Sequence, residues 1–423
     1  MREPLRLSLG SRITLHDLVI RAEAGDWIVG RTVTGQFVEL PQLGVTAIGL
    51  LSQDRPLGAV QDELAGDPDE TVEVVEFVEQ LAELGFVRAI DGIEVEESAI
   101  DSQDQLEPSL PWIRPGHVRW LFSAPALAGC AAVTVAAIVA LALRPRLLPG
   151  YSDLFISRSP TTVVVADTVI TLILMGLHEL AHLIAARSAG VPARISWGTR
   201  LFDLVAQTAM PGVWAVSIRL RMRCYLAGIA LDLALTSALI LAEATGNLSS
   251  LAEHVVRCTI VLLVIGVAMQ FQVFMRTDVY FVLADLLRTR NLHDDACGYL
   301  LTRGTAILRW LRRDRAKAVP GIELETTDGR EYRLVRYYAW LMIAGAAVSV
   351  AALAAFIAPA GVTLVARSWS ELAAGLARSD YLRVADASAA ILILVGSWVF
   401  FLVVFLRSRS QWWRRVTRDA GVR

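Results

Sequence analysis

His178, Glu179 and His182 stand in the order His-Glu-x-x-His inside the apolar stretch Leu172 to Arg187. Residues four apart share one face of an α-helix, so both imidazoles can direct a ring nitrogen at a single Zn²⁺ ion. Glu179 then lies beside the metal without having to ligate it, where it can take a proton from bound water. Hydrolysis of a peptide bond needs this set: a metal that acidifies water and polarises the carbonyl, and a carboxylate that carries the proton to the leaving amine. Near the middle of a membrane helix an ionised Asp or Glu costs roughly 2.5 kcal/mol or more, which makes such residues functional by default. The plainer alternative is a histidine pair that only bonds neighbouring helices.

The elements that must position this set belong to a membrane protein. The chain has 423 residues, 55% of them hydrophobic and only 19% charged, with a mean hydropathy of +0.50. That is too apolar for a soluble protein and leaves room for a helix bundle plus a small soluble domain. The net charge of -2 conceals a split, because 22 acidic residues face 8 arginines up to Pro115 while the remaining 20 face 32 basic ones. An acidic front end argues against nucleic-acid binding. The opening Met1 to Arg6 has no apolar run, so no cleavable signal peptide is expected. Cys130, Cys224, Cys258 and Cys297 are scattered and suit small apolar fillers better than disulfides or a metal cluster.

Residues 1–92 carry an α+β pattern. Asp26 to Arg31 and Gln36 to Leu40 alternate at period two around a turn ending in Gly35, which predicts a hairpin. Helices are expected at 43–51, 57–64 and 70–84, the last with Val74, Val75, Phe77, Val78, Leu81 and Leu84 on one face. Gly85 stops that helix, and Phe86 to Ile90 reads as a returning strand. Hairpin, three helices and a wing make a winged-helix outline. The series Gly30-Arg31, Phe37 to Pro41, Gly44, Ala47, Ile48, Leu50, Leu51, Phe77, Leu81 and Gly85 to Val87 resembles the PqqD-like peptide-recognition domains of ribosomal peptide modification. That resemblance implies a leader peptide bound as an added strand against the hairpin and the third helix. The alternative is a regulatory winged helix that binds no peptide.

Residues 93–115 are acidic and Pro-containing and read as a linker. Residues 116–407 then hold six apolar segments long enough to span a bilayer, at about 118–143, 161–186, 224–244, 257–276, 338–358 and 385–407. Trp112, Trp120, Trp340, Trp412 and Trp413 flank them as interfacial anchors. The fold class is therefore mainly α: a polytopic six-helix membrane bundle with a small N-terminal α+β winged-helix domain. Arginine and lysine favour cytoplasmic connections. Segment 187–223, the basic insertion 288–337 and the basic tail 408–423 carry most of them, which places both termini in the cytoplasm. Arg144, Arg146 and Arg158 fall on the other side and run against the rule.

This topology selects partners for the histidines. The second and fourth spans run in the same direction, with His178 about 17 residues into its span and Asp278 about 21 residues along the other, so they come level at 1.5 Å per residue. Asp278 is the expected third ligand. Asp232, also level on the antiparallel third span, is the alternative. Asp167 is excluded, lying some 16 Å from His178 along its own helix.

With an Asp two helices after His178-Glu179-x-x-His182, the chain resembles the site-2 protease family of intramembrane zinc metalloproteases. The closer likeness is to its bacterial peptide zinc metalloprotease branch, through Thr277-Asp278-x-Tyr280, Ala284-Asp285, Asn291-Leu292, Ala296, Tyr299-Leu300 and the Thr208 to Trp214 region. The resemblance implies zinc on His178, His182 and Asp278, with Glu179 catalytic. Departures occur where that family has Ala-Gly-Pro-x-x-Asn and this chain has Ala227-Gly228-Ile229-Ala230-Leu231-Asp232, where its Asn-x-x-Pro becomes Gln270-x-x-Val273, and where its Gly after the ligand Asp becomes Val279. Gln270 and Asp232 are candidates for positioning substrate, with helix–helix hydrogen bonding the alternative for Gln270.

A membrane helix hides its peptide bonds in hydrogen bonds, so a substrate must be unwound before water can attack it. The 187–223 connection, broken by Pro192 and Met210-Pro211-Gly212, can supply strand edges for that. The expected substrate is a membrane-associated or amphipathic peptide precursor, cleaved to remove its leader in ribosomal peptide maturation, with the lipid bilayer and biosynthetic partners around it. The alternatives are release of a regulator from its membrane anchor and a non-catalytic peptide carrier or immunity protein.

Overall fold

The structure, a computed structural model, describes residues 7–23, 25–65, 73–95, 107–200, 203–289, 292–312, 329–352 and 358–420. Met1 to Arg6, the start of the helix expected at 70–84, the 96–106 part of the acidic linker, Asn291 and the 313–328 part of the basic insertion lie outside them. The chain divides into two compact units, Met1–Phe122 with Leu183–Ser196 and Thr208–Cys224, and Ser123–His182 with Trp197–Gln207 and Tyr225–Arg423.

In the first unit strands β1 (Ile13–Leu15), β2 (Val19–Glu23), β3 (Asp26–Arg31) and β4 (Gln36–Leu40) precede helices α1 (Gln42–Leu51), α2 (Leu57–Leu64) and α3 (Val74–Glu83). Strands β5 (Val87–Ile90) and β6 (Ile93–Glu94) follow. The expected hairpin is present, with Val29 opposite Val38, but it forms part of a three-stranded sheet β2-β3-β4. A second sheet, β1-β5-β6, holds the returning strand. Val29, Leu51, Leu57, Val78, Leu81 and Phe86 are buried together between these layers, and each such side chain contributes ~1.5–3 kcal/mol relative to exposure.

The connection after the second span packs into this unit. Ser109 N–H donates to the Ala193 carbonyl at 3.1 Å, and the Arg187 guanidinium donates to the Ser109 carbonyl at 2.9 Å. Arg221, counted above among loop charges, is instead fully buried and forks onto Glu23 at 2.5 and 3.1 Å under the face of Trp214. A guanidinium suits that fork because its planar donors match the two carboxylate oxygens.

Beyond a short helix α4 (Pro115–Val118), the second unit is mostly helical. It contains α5 (Ala124–Leu143) and most of α6 (Pro160–Ser188) and α7 (Ile218–Ala244). Then come α8 (Ser250–Gln270), α9 (Asp278–Leu287), α10 (Leu292–Arg312), α11 (Gly329–Ala352), α12 (Ala358–Ala377) and α13 (Tyr381–Ala420). Between α6 and α7 runs a two-stranded ribbon, β7 (Arg194–Arg200) and β8 (Asp203–Ala209). Six helices are long and apolar enough to cross a membrane, at 124–143, 160–188, 218–244, 250–270, 332–351 and 381–400. They fit an integral membrane protein. On α6 an exposed stripe, Val165, Val169, Leu172, Ile173 and Leu177, recurs at helical spacing, while His178 and His182 are buried. Lipid-facing and site-facing sides are thus separated on one helix.

The fourth span corrects an expectation. The apolar run 257–276 implied one helix reaching almost to Asp278, but α8 ends at Gln270 and a 3-10 turn, Val273–Met275, intervenes. Arg276 adopts the left-handed conformation with φ 57°. Eight more helical residues would carry Asp278 about 12 Å past Gln270. Instead the chain doubles back, and the Asp278 N–H donates to Gln270 Oε1 at 3.3 Å.

Candidate metal centre

Three donors converge. His178 Nε2 and His182 Nε2 lie 3.1 Å apart, and Asp278 Oδ2 is 3.0 Å from each. The histidines come from consecutive turns of α6; Asp278 opens α9, where the first-turn N–H groups favour a carboxylate. Among the described residues, only these three form a His/Cys/Asp/Glu group compact enough to hold an ion.

Asp232, weighed above as a ligand, serves a different atom. Its Oδ2 accepts from His178 Nδ1–H at 2.7 Å, and both side chains are buried. That bond fixes the tautomer that leaves the Nε2 lone pair toward the other donors, the usual outer support of a metal-binding imidazole. Asp167 is where the depth argument put it, away from the centre, accepting from the Cys258 thiol at 3.2 Å. Asp285 is buried on α9 and is not part of the cluster. All four cysteines are free.

Gln270 brackets the centre from the end of α8. Its Oε1 accepts from the Asp278 N–H, its Nε2 is 3.4 Å from His178 Nε2, and its carbonyl accepts from Thr277 Oγ1 at 2.6 Å. These bonds close the 270–278 loop and fix where Asp278 points. Below it, Tyr338 on α11 donates to the Val273 carbonyl at 2.9 Å, and Phe274 lies so close to Gly345 that an added Cβ would meet its ring at 2.8 Å. His293 Nδ1 lies 3.5 Å from the Tyr338 hydroxyl and its Nε2 3.6 Å from the Cys297 thiol. Burial, and then the Arg276 charge, hold His293 below the usual imidazole range, so it is neutral at pH 7. A neutral ring can donate to Tyr338 through Nδ1 and accept from Cys297 through Nε2, completing a chain of bonds onto the turn.

Gly228 is the residue whose role the sequence reading missed. A Cβ there would lie 2.4 Å from His178 Nε2 and 2.6 Å from His182 Nε2, so α7 can approach the imidazoles only without a side chain. The Ala227-Gly228 pair stands in the sequence, but its contact with the donors is visible only once α6 and α7 are packed. Gly228→Ala is therefore expected to abolish stoichiometric metal binding while the protein still folds in detergent, read by metal analysis beside circular dichroism. Retained metal would mean that the donors do not meet at this point.

The donor set fits a metal ion. In a tetrahedral zinc site with ~2.0–2.1 Å bonds, neighbouring ligand atoms lie ~3.3 Å apart, close to the separations here. Two neutral imidazoles and one carboxylate leave a fourth position for water, as hydrolytic zinc sites do. Glu179 follows His178 directly on α6 and is half-buried, one step round the helix from the ligands. No protein-family model, no curated protein and no solved structure matches this chain, so the chemistry of the centre rests on these side chains alone.

Proposed function

We propose that this chain is an intramembrane zinc metalloendopeptidase that cleaves a membrane-associated or amphipathic peptide precursor, removing the leader in ribosomal peptide maturation. The observation that carries the reading is the convergence of His178, His182 and Asp278 around one point, with Asp232 fixing the tautomer and Glu179 adjacent. A bound zinc ion would polarise the scissile carbonyl and lower the pKa of water to about 7. Glu179 takes the proton from that water and delivers it to the leaving amine. The membrane helices exclude bulk water, which strengthens every charge interaction at the centre.

Substrate must reach Glu179 extended, since helical peptide bonds are protected. Strands β7 and β8 pair with each other as a two-stranded ribbon, and the outer edge of either offers main-chain bonds to an unwound segment. In this reading Gln270, beside His178, holds a carbonyl or amide of that segment. The N-terminal unit recruits the precursor as a PqqD-like winged helix would, with the leader added along the outer edge of β4. Both termini lie in the cytoplasm in this reading, where new peptide is available.

Recruitment has a kinetic consequence. With the full chain in proteoliposomes, a leader-bearing precursor peptide should show a KM about tenfold or more below that of a leaderless peptide with the same cut site, at similar kcat. Raised salt should narrow the gap if charge steers the leader to the acidic front end. Equal KM values would remove leader recognition from the account while leaving the peptidase assignment to be judged on Glu179.

A further inference from the structure

Arg144 and Arg146 are two of the three charges that the orientation rule leaves unexplained. The structure gathers them where three spans end, since α5 stops at Leu143, α7 stops at Ala244 and α8 begins at Ser250. A cavity of about 290 Å³ opens there, with Arg144, Arg146, Glu243, Gly246, Glu253 and Arg257 in its lining. Arg257 is committed to neighbours: it donates to Asp153 Oδ1 and Oδ2 at 3.1 and 3.2 Å and to Glu243 Oε1 at 2.7 Å. Arg144 donates to the Ala244 carbonyl at 2.6 Å, which holds its guanidinium at the rim.

Glu243 is different. Its side chain is only 7% exposed, and among the described residues its buried Oε2 accepts no hydrogen bond. A buried carboxylate oxygen without a donor is costly, so a cationic donor entering the cavity would gain that penalty back. The exposed Arg144 and Arg146 call for an anion on the same ligand. At the level where membrane helices end, the molecule that joins a phosphodiester to an ammonium is a lipid headgroup.

We propose that this cavity binds the phosphoethanolamine headgroup of an aminophospholipid, its ammonium on Glu243 Oε2 and its phosphodiester on Arg144 and Arg146. A glycerol headgroup leaves Glu243 without a cation, and a choline headgroup has no N–H to donate. The site is separate from the metal centre and does not depend on peptidase activity.

The test uses the purified, delipidated full chain in detergent, offered equimolar phosphatidylethanolamine, phosphatidylglycerol and phosphatidylcholine and read by native mass spectrometry. Wild type should favour phosphatidylethanolamine by about tenfold, the worth of one charge-assisted hydrogen bond. Glu243→Gln should erase that preference, and Arg146→Gln, an exposed position where folding is not at stake, should weaken retention of phosphatidylethanolamine severalfold. Soluble glycerophosphoethanolamine should displace the bound lipid and inorganic phosphate should not. Equal retention of the three lipids, a preference unchanged in Arg146→Gln, or displacement by phosphate alone would each overturn the proposal.

Discussion

Glu179→Gln is expected to keep its metal and lose proteolysis by roughly a hundredfold or more. The substitution preserves size on a half-buried position of α6 and leaves His178, His182 and Asp278 untouched, so the ion remains. What disappears is the only group proposed to move a proton between water and the leaving amine. A glutamine amide has no basic site at neutral pH, so the loss should fall on kcat with KM little changed. Metal analysis and single-turnover cleavage on the same preparation check both halves. Unaltered turnover in a metal-loaded variant would end the peptidase reading and leave a metal-stabilised carrier as the better description.

Asp278→Ala carries the second large effect. It removes one of three protein donors, and the two imidazoles left behind cannot hold zinc at stoichiometric occupancy through purification. Asp232→Ala should behave differently. Because Asp232 bonds the far nitrogen of His178 and not the ion, its loss frees the ring to turn and should weaken metal affinity by about 10–100-fold without abolishing it. Asp285→Ala, buried outside the cluster, should leave metal content unchanged. The comparison is made by titrating each variant with a zinc chelator. If metal is lost only in the Asp232 variant, α7 supplies the ligand and the present assignment of the two carboxylates is reversed.

Much of the site was legible because its logic is local. Four-residue spacing puts His178 and His182 on one face of any helix, and apolar runs announce six spans, though their ends shift: α7 starts at Ile218, several residues before the expected 224. Arg219, Arg221 and Arg223 hid that start, since charges read as loop until one sees Arg221 buried against Glu23. Asp278 was the favoured residue for an incomplete reason. Level depth on a continuous helix suggested it, whereas a broken helix delivers it, and neither proline nor glycine marks the break between Gln270 and Asp278. Left-handed Arg276 and the Tyr338 bond to Val273 make that turn, and both are tertiary effects. Strands β1, β2 and β6 escaped because they are short; β1 in addition gains its pattern from a partner far along the chain, with Ile13 opposite Ile90, while β2 and β6 only extend the neighbouring strands β3 and β5. Helix α12 escaped as well, lying between two segments that read as spans.

Zinc-edge X-ray absorption on the purified full chain tests the central claim most directly. The account predicts one zinc per chain with about four nitrogen or oxygen neighbours at ~2.0–2.1 Å, two of them imidazole, and no sulfur. A sulfur shell near 2.3 Å, or wild-type protein that retains no stoichiometric metal after reconstitution and desalting, would contradict it.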